Sequence, residues 1–368
     1  MVDLKFCVFC GDVPENKNKE HILPQWLLRL TGDPKRTVSM YYDYRKGREV
    51  KFSWNSLVTP ACEACNTEFA GMEAAVKPVI EGLLERKSLR ARDYVLLLDW
   101  LDKVRVGLWL NYHMLQGDIL NIKPSFYIKD RVARKDRFVA IYPLASDGVG
   151  LNAVGVNTLA FQSSPSVFGL RINNLLMINC SSDYIISGRC GFPSPTTMEI
   201  LLDGESAGCL ALSEFKFSKK IKTPLFRLPL AKPSVYILQP IAQRGEDGEV
   251  VQTVGLSDEK MADFFAKNLI DANVPEHGKL FRQFAGHVSR IDGAEDVIEF
   301  ESIAGRECVT SGRLQSQIYE VQMSLQDLYT PISLNRDVRL AWNTKRKAIR
   351  NECKAYAKNC FVTLSRKV

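Results

Sequence analysis

Two cysteine pairs, Cys7-x-x-Cys10 and Cys62-x-x-Cys65, constrain this chain more than any other feature. Each pair is a tight turn offering two thiolates at zinc-ligand spacing, and four thiolates complete a tetrahedral shell with no open position. Such a shell does no chemistry. It draws residues 11–61 into a loop, so the free energy of metal binding becomes folding free energy. Structural Zn2+ is therefore expected on Cys7, Cys10, Cys62 and Cys65; the alternative is two unrelated cysteine turns. The other six cysteines (Cys180, Cys190, Cys209, Cys308, Cys353 and Cys360) are scattered, which predicts free thiols and no disulfide framework.

Composition sets the frame around this knuckle. The chain of 368 residues exceeds the usual single-domain size, and its 46% hydrophobic and 25% charged content is that of an ordinary globular protein. Its 49 Lys and Arg against 42 Asp and Glu leave a net charge of +7, compatible with a polyanionic partner but not diagnostic of one. Met1–Lys5 lacks the charged start and apolar run of a signal peptide. The most apolar stretch, Tyr94–Leu115, is interrupted by Asp99, Asp102, Lys103 and Arg105 and reads as a buried helix, not a membrane span. No membrane partner and a cytoplasmic location are the expectation.

Three regions differ in texture: 1–86 with the cysteine pairs, 87–240 with a long helix and β-rich sequence, and 241–368, expected to be mainly helical with a basic end. An α+β fold class follows. Thr37–Tyr44 and Glu49–Trp54 predict a hairpin, turned at Arg45-Lys46-Gly47-Arg48. Asn66–Lys77 has helical spacing, with Pro78 expected to break or kink it. Leu97, Leu101, Val104, Leu108 and Tyr112 form a core-facing stripe on a helix over Arg92–Leu115. Short strands are expected at Ser125–Ile128, Arg137–Tyr142, Val167–Ile172, Leu175–Cys180, Tyr184–Ser187 and Ser234–Leu238, and Ser257 is placed to cap a helix through about Asp271.

The loop between the cysteine pairs holds the residues that suggest chemistry. Lys19-Glu20-His21-Ile22-Leu23-Pro24 sets a carboxylate beside an imidazole, Asn55-Ser56-Leu57-Val58 precedes the second pair, and Asn66 follows Cys65 directly. Phosphodiester hydrolysis needs a base for water, a cation for developing phosphate charge and stabilisation of the leaving oxygen. One imidazole, one carboxylate and one further oxygen ligand supply all three around a single divalent ion. The order C-x-x-C, E-H-I-x-P, N-x-L-V, C-x-x-C-N resembles the HNH endonucleases, also called His-metal finger or ββα-metal nucleases.

That resemblance covers roughly residues 1–80. It implies a ββα-metal domain in which His21 is the general base, Glu20 and Asn66 are ligands of a catalytic Mg2+ or Mn2+ ion, and Asn55 orients the base. It also implies that the four cysteines hold zinc. The implied activity is endonucleolytic hydrolysis, most readily of double-stranded DNA, as in bacterial restriction or phage-defence nucleases; RNA is the other substrate. The alternative is a zinc-stabilised nucleic-acid-binding or protein-interaction module without chemistry. Glu73, seven residues beyond Asn66 on the same helix face, reads as a solvated helix charge or else as a further ligand. His113 reads as a packed core residue, and His277 and His287 have no assigned role.

Cations mark two surfaces. The hairpin carries Lys35, Arg36, Arg45, Lys46, Arg48 and Lys51 among Tyr41, Tyr42, Tyr44, Phe52 and Trp54, a mixture suited to phosphate contact and base stacking or to an ordinary exposed hairpin. Near the C-terminus Lys347, Arg350, Lys354 and Lys358 fall on one helical stripe, with Ile349, Cys353, Tyr356 and Cys360 on another. Arg45, Lys46, Arg48, Lys347, Arg350 and Lys354 are the expected nucleic-acid contacts. Residues 87–368 are expected to recognise a target, bind a regulatory protein or mediate homo-oligomerisation.

Overall fold

The computed structural model describes residues 6–365 apart from 17, 45, 117–123, 145–147, 193, 206–207, 214, 217–230, 241–277 and 302–310. Strands and helices are mixed along the chain, making it an α+β protein with seven α-helices among the described residues. The first third runs β1 (Asn18–His21), α1 (Gln25–Leu30), β2 (Thr37–Asp43), β3 (Arg48–Ser53), β4 (Val58–Ala61), α2 (Glu63–Leu84), β5 (Leu89–Arg90) and α3 (Ala91–Gln116). Next come β6 (Asp136–Pro143), β7 (Leu151–Val154), α4 (Leu159–Ser163), β8 (Val167–Ile172), β9 (Leu175–Ser182) and α5 (Ile185–Cys190). Small strands β10 (Ser194–Pro195), β11 (Met198–Leu201), β12 (Leu210–Leu212) and β13 (Phe215–Lys216) follow. The last part holds β14 (Val235–Gln239), β15 (Leu280–Phe284), β16 (His287–Ile291), β17 (Val297–Ile298), α6 (Ser311–Leu325), β18 (Thr330–Ile332) and α7 (Arg336–Ser365).

A seven-stranded sheet in the order β16-β15-β14-β6-β9-β8-β7 forms the middle layer, every pair antiparallel. Its central strands are buried on both faces, and the pleat sends alternate residues to opposite sides. Val139 and Ile141 of β6 join one apolar cluster with α3, whereas Phe138, Ala140 and Tyr142 join the other with α6 and α7. Strands covered on both faces read as continuous apolar runs, which is why Arg137–Tyr142, Val167–Ile172 and Leu175–Cys180 are legible from sequence. Close approach of α6 needs Gly169 on β8, because a Cβ there would lie 2.2 Å from Ile318 Cδ1.

α3 is buried almost throughout and lies between this sheet and the N-terminal elements. The sides of the helix that face other layers carry charge, and each charge is paired. Arg105 bonds Asp102 at 2.6 Å and the Pro165 carbonyl at 2.7 Å, and Arg137 reaches Asp102 at 2.6 Å and Gln239 at 2.7 Å. A buried charge without such partners costs several kcal/mol. Residues on either side of position 86 share one apolar cluster, and β14 and β15, on either side of position 240, pair in one sheet.

Several sequence expectations change. α2 is not broken at Pro78 but continues to Leu84, because Val76, Val79, Ile80 and Leu83 stay buried and their packing outweighs the lost backbone bond. Ser125–Ile128 is not a strand; its end bonds outward, with Ile128 N–H donating to Val8 O at 3.0 Å. Tyr184–Ser187 leads into α5 because the Asp136 carboxylate accepts the N–H groups of Tyr184 and Ser187, bending the chain out of the sheet. In the described part of 241–368 the helices α6, of 15 residues, and α7, of 30, outweigh the short strands β15 to β18 that lie beside them. The helix expected over Ser257–Asp271 lies outside the described residues, as do Arg45, His277 and Cys308.

Candidate functional site

The cysteine pairs converge as their spacing demands. The Sγ atoms of Cys7, Cys10, Cys62 and Cys65 all lie within 4.8 Å of one another, with Cys10 and Cys62 at 3.9 Å. Zinc–sulfur bonds of about 2.3 Å in a tetrahedron place sulfurs about 3.8 Å apart, so the cluster is compatible with a structural zinc ion. It is the one such group of His, Cys, Asp or Glu ligands among the described residues. Backbone closes the first turn: Gly11 N–H donates to Cys7 O at 2.9 Å and Cys7 N–H to Asp12 O at 2.7 Å. Gly11 has φ +86° and sits against the Tyr127 ring, so no larger residue fits. Burial pushes the Cys7 thiol up, but N–H groups of Cys62, Cys10 and Phe9 outweigh it and hold the thiol below its ordinary range. Those donors favour the thiolate a metal needs. All nine described cysteines are free of disulfides.

Antiparallel pairing of β1 with β4 sets His21 opposite Val58 and Glu20 opposite Thr59. The strand pair leads into α2 through Cys62, so the cysteine cluster braces the base of the unit and the Glu20-His21 pair sits at its far end. Pro24 then starts α1, and Gln25, its first residue, turns back over the imidazole. Gln25 Nε2 lies 3.2 Å from Nδ1 and 3.1 Å from Nε2 of His21, and donates to Asn55 Oδ1 at 2.6 Å. Asn55 is thus joined to His21 through Gln25, across the 3-10 turn Trp54–Ser56. Partial burial lowers the His21 pKa, with Glu20 opposing the effect and Lys103 adding to it, which favours the neutral imidazole.

Glu20 is buried and pairs with Lys103 of α3, which also pairs with Glu73 of α2. Glu73 is therefore not the solvated charge its sequence setting suggests. Asn66 is half-buried on the first turn of α2; its N–H donates to Cys62 O at 3.0 Å, and no bond joins its side chain to Glu20 or His21 among the described residues. The structure thus brings together Glu20, Glu73 and Lys103 on one side of the strand end and His21, Gln25 and Asn55 on the other. Lys103 and Gln25 were missed in the sequence. The signals were a lysine inside an apolar helix, and a glutamine one helical turn after the histidine.

The hairpin forms with the expected strands, but several of its aromatics are taken up in packing. Tyr41 and Trp54 are buried, and Tyr44 donates to Glu352 of α7 and to Asn157 O, so they hold the core and do not offer stacking faces. Arg36 bonds the carbonyls of Asp33 and Leu28 and the Thr31 hydroxyl. Lys35, Arg48 and Lys51 remain exposed, and Lys46, also exposed, lies 3.7 Å from Asp43. On α7 Lys347, Lys354 and Lys358 are exposed, whereas Arg350 pairs with Asp327 at 2.9 Å. His113 is buried against Trp109, and His287 is exposed on β16. No described helix is long and apolar enough to cross a membrane.

Comparisons of the chain with protein-family models, with curated proteins and with solved structures return no match. The arrangement of residues stands by itself.

Proposed function

We propose that this chain is an endonuclease of the ββα-metal type that hydrolyses phosphodiester bonds, with DNA as the first substrate to test. The observation that carries the reading is the pair Glu20-His21 at a strand end, its imidazole against Gln25, which Asn55 fixes in turn, with the four-cysteine cluster at the other end of the strand pair. A neutral imidazole in reach of water is what a general base requires, and an amide on its ring fixes its orientation. His21 takes the proton from water, and Gln25, fixed by Asn55, keeps the ring in one pose.

Glu20 and Asn66 would hold the Mg2+ or Mn2+ ion of the HNH pattern, whose chemistry is to stabilise charge on the phosphate and the leaving oxygen. What supports a cation there is that two carboxylates, Glu20 and Glu73, converge on one cationic position, that of the Lys103 ammonium. Exposed cations on the hairpin and on α7 (Lys46, Arg48, Lys347 and Lys354) would track the backbone of the nucleic acid. A cytoplasmic restriction or phage-defence role belongs to the same reading, as does target recognition or partner binding by residues 87–368.

The engagement of Glu20 by Lys103 favours a second reading, a zinc-braced nucleic-acid-binding module without catalysis. Cleavage of labelled DNA and RNA, with and without Mg2+ or Mn2+, separates the two. The nuclease reading expects ion-dependent cutting that falls by about 100-fold or more in His21→Ala, with zinc content and circular dichroism unchanged. Equal cutting by wild type and His21→Ala would end it. Binding that survives both chelation of the divalent ion and loss of His21, without cleavage, supports the module.

A further inference from the structure

Lys103 has a fully buried side chain. An ammonium in that position keeps its charge only where oxygen atoms replace its water. Four do so: one carboxylate oxygen each of Glu20 and Glu73, and the carbonyls of His21 and Ile22, both at 3.3 Å. The shell consists of carboxylate and carbonyl oxygens, the donors that a hard divalent ion also takes. It takes in the carbonyls of His21 and of Ile22 after it, so the same ammonium fixes the strand end that presents the imidazole.

We propose that Lys103 is a positioning residue of the candidate site, and that its ammonium holds the cation position between Glu20 and Glu73. A divalent ion then reaches Glu20 only in competition with it. The inference rests on the reading of Glu20 as the ion-binding residue. It also makes α3 part of the site, because Lys103 comes from beyond the 1–86 region that carries the motif. The two carboxylates and one ammonium leave a single excess negative charge. Lys103→Met would raise that excess, Glu73→Gln would cancel it, and the double variant would restore it.

The test is Mn2+ titrated into the zinc-loaded full-length protein, with free Mn2+ read by electron paramagnetic resonance. Lys103→Met should bind Mn2+ at least about tenfold more tightly than wild type. Glu73→Gln should bind it more weakly, and Lys103→Met with Glu73→Gln should return near wild type. Equal or weaker binding by a folded Lys103→Met protein, with normal zinc content and circular dichroism, would overturn the proposal. If Lys103→Met does not fold, Glu73→Gln decides: wild-type Mn2+ affinity in that variant would also overturn it. Cleavage measured in parallel keeps the two readings apart. His21-dependent cutting without the affinity order sinks only this inference, and the affinity order without cutting sinks only the nuclease.

Discussion

Asp136 shows how one side chain can make stability depend on pH. It is fully buried at the start of β6, where it accepts from the Ser182 hydroxyl at 3.2 Å, Tyr184 N–H at 3.0 Å and Ser187 N–H at 2.8 Å. Burial outweighs those bonds and pushes its pKa up to about 7. The folded state therefore holds a proton that the unfolded chain has already released. This contribution to stability is full below the unfolded carboxyl range and is lost as pH rises towards about 7, a matter of a few kcal/mol at most. Denaturant midpoints measured from pH 5 to 8 should fall more steeply in wild type than in Asp136→Asn. At pH 5 the variant should also be less stable by about 1–3 kcal/mol, since an amide has one acceptor oxygen where the Asp136 carboxyl uses both, for Tyr184 and for Ser187. A wild-type slope equal to the variant's would remove Asp136 from this account.

Between elements, contacts are set by what each surface lacks. Gly169 gives α6 the room to bring Ile318 onto β8, and Gln322 of α6 then donates to the carbonyls of Gly155 at 2.8 Å and Val167 at 2.9 Å. Gly169→Ala should cost about 1–3 kcal/mol through overpacking. Adding Ile318→Ala should recover part of that loss, so the double mutant would be less destabilised than the sum of the singles; strict additivity in chemical denaturation would argue against the contact. The hairpin and α7 are tied in a similar way. Tyr44 reaches Glu352, which also accepts Leu159 N–H at 2.6 Å. Glu352, the one acidic residue in the basic stretch Arg339–Val368, is thus spent on packing α7 against the body, and the exposed stripe is left cationic. Reversing Lys347 and Lys354 to Glu should weaken binding to DNA and flatten its dependence on salt, read by fluorescence anisotropy at two or more salt concentrations. An unchanged salt slope would exclude the stripe as a phosphate track.

At the scale of the molecule, one apolar cluster runs from the cysteine turns through α2 and α3 to the central sheet. β17 pairs with β5 at the start of α3, and Arg90 and Arg92 pair there with Glu295. A metal in the four-cysteine cluster would therefore stabilise more than its own turns. Its contribution is comparable with the whole stability of a domain, about 5–15 kcal/mol. Removing it with a strong chelator, or by Cys62→Ser, should lower the melting transition of the central body in calorimetry and not only release the N-terminal segment. A calorimetric trace in which the main transition is unmoved would show that the knuckle stands apart.

The sequence by itself determined the local and periodic features. The cysteine spacing foretold the converging thiols, continuous apolar runs marked the central strands, and the apolar stripe marked α3, because each depends on neighbours only a few residues away. The Glu20-His21 pair was legible for the same reason. Tertiary structure decided which partner each buried polar group would find. Glu20 and Glu73 meet at Lys103, 83 and 30 residues away along the chain, and Gln25 spans from His21 to Asn55 across 30 more. Tyr44 finds Glu352 near the other end of the chain, which ties the hairpin to α7. No spacing rule encodes such pairings, because they follow from satisfying buried charge and hydrogen bonds once the layers have packed.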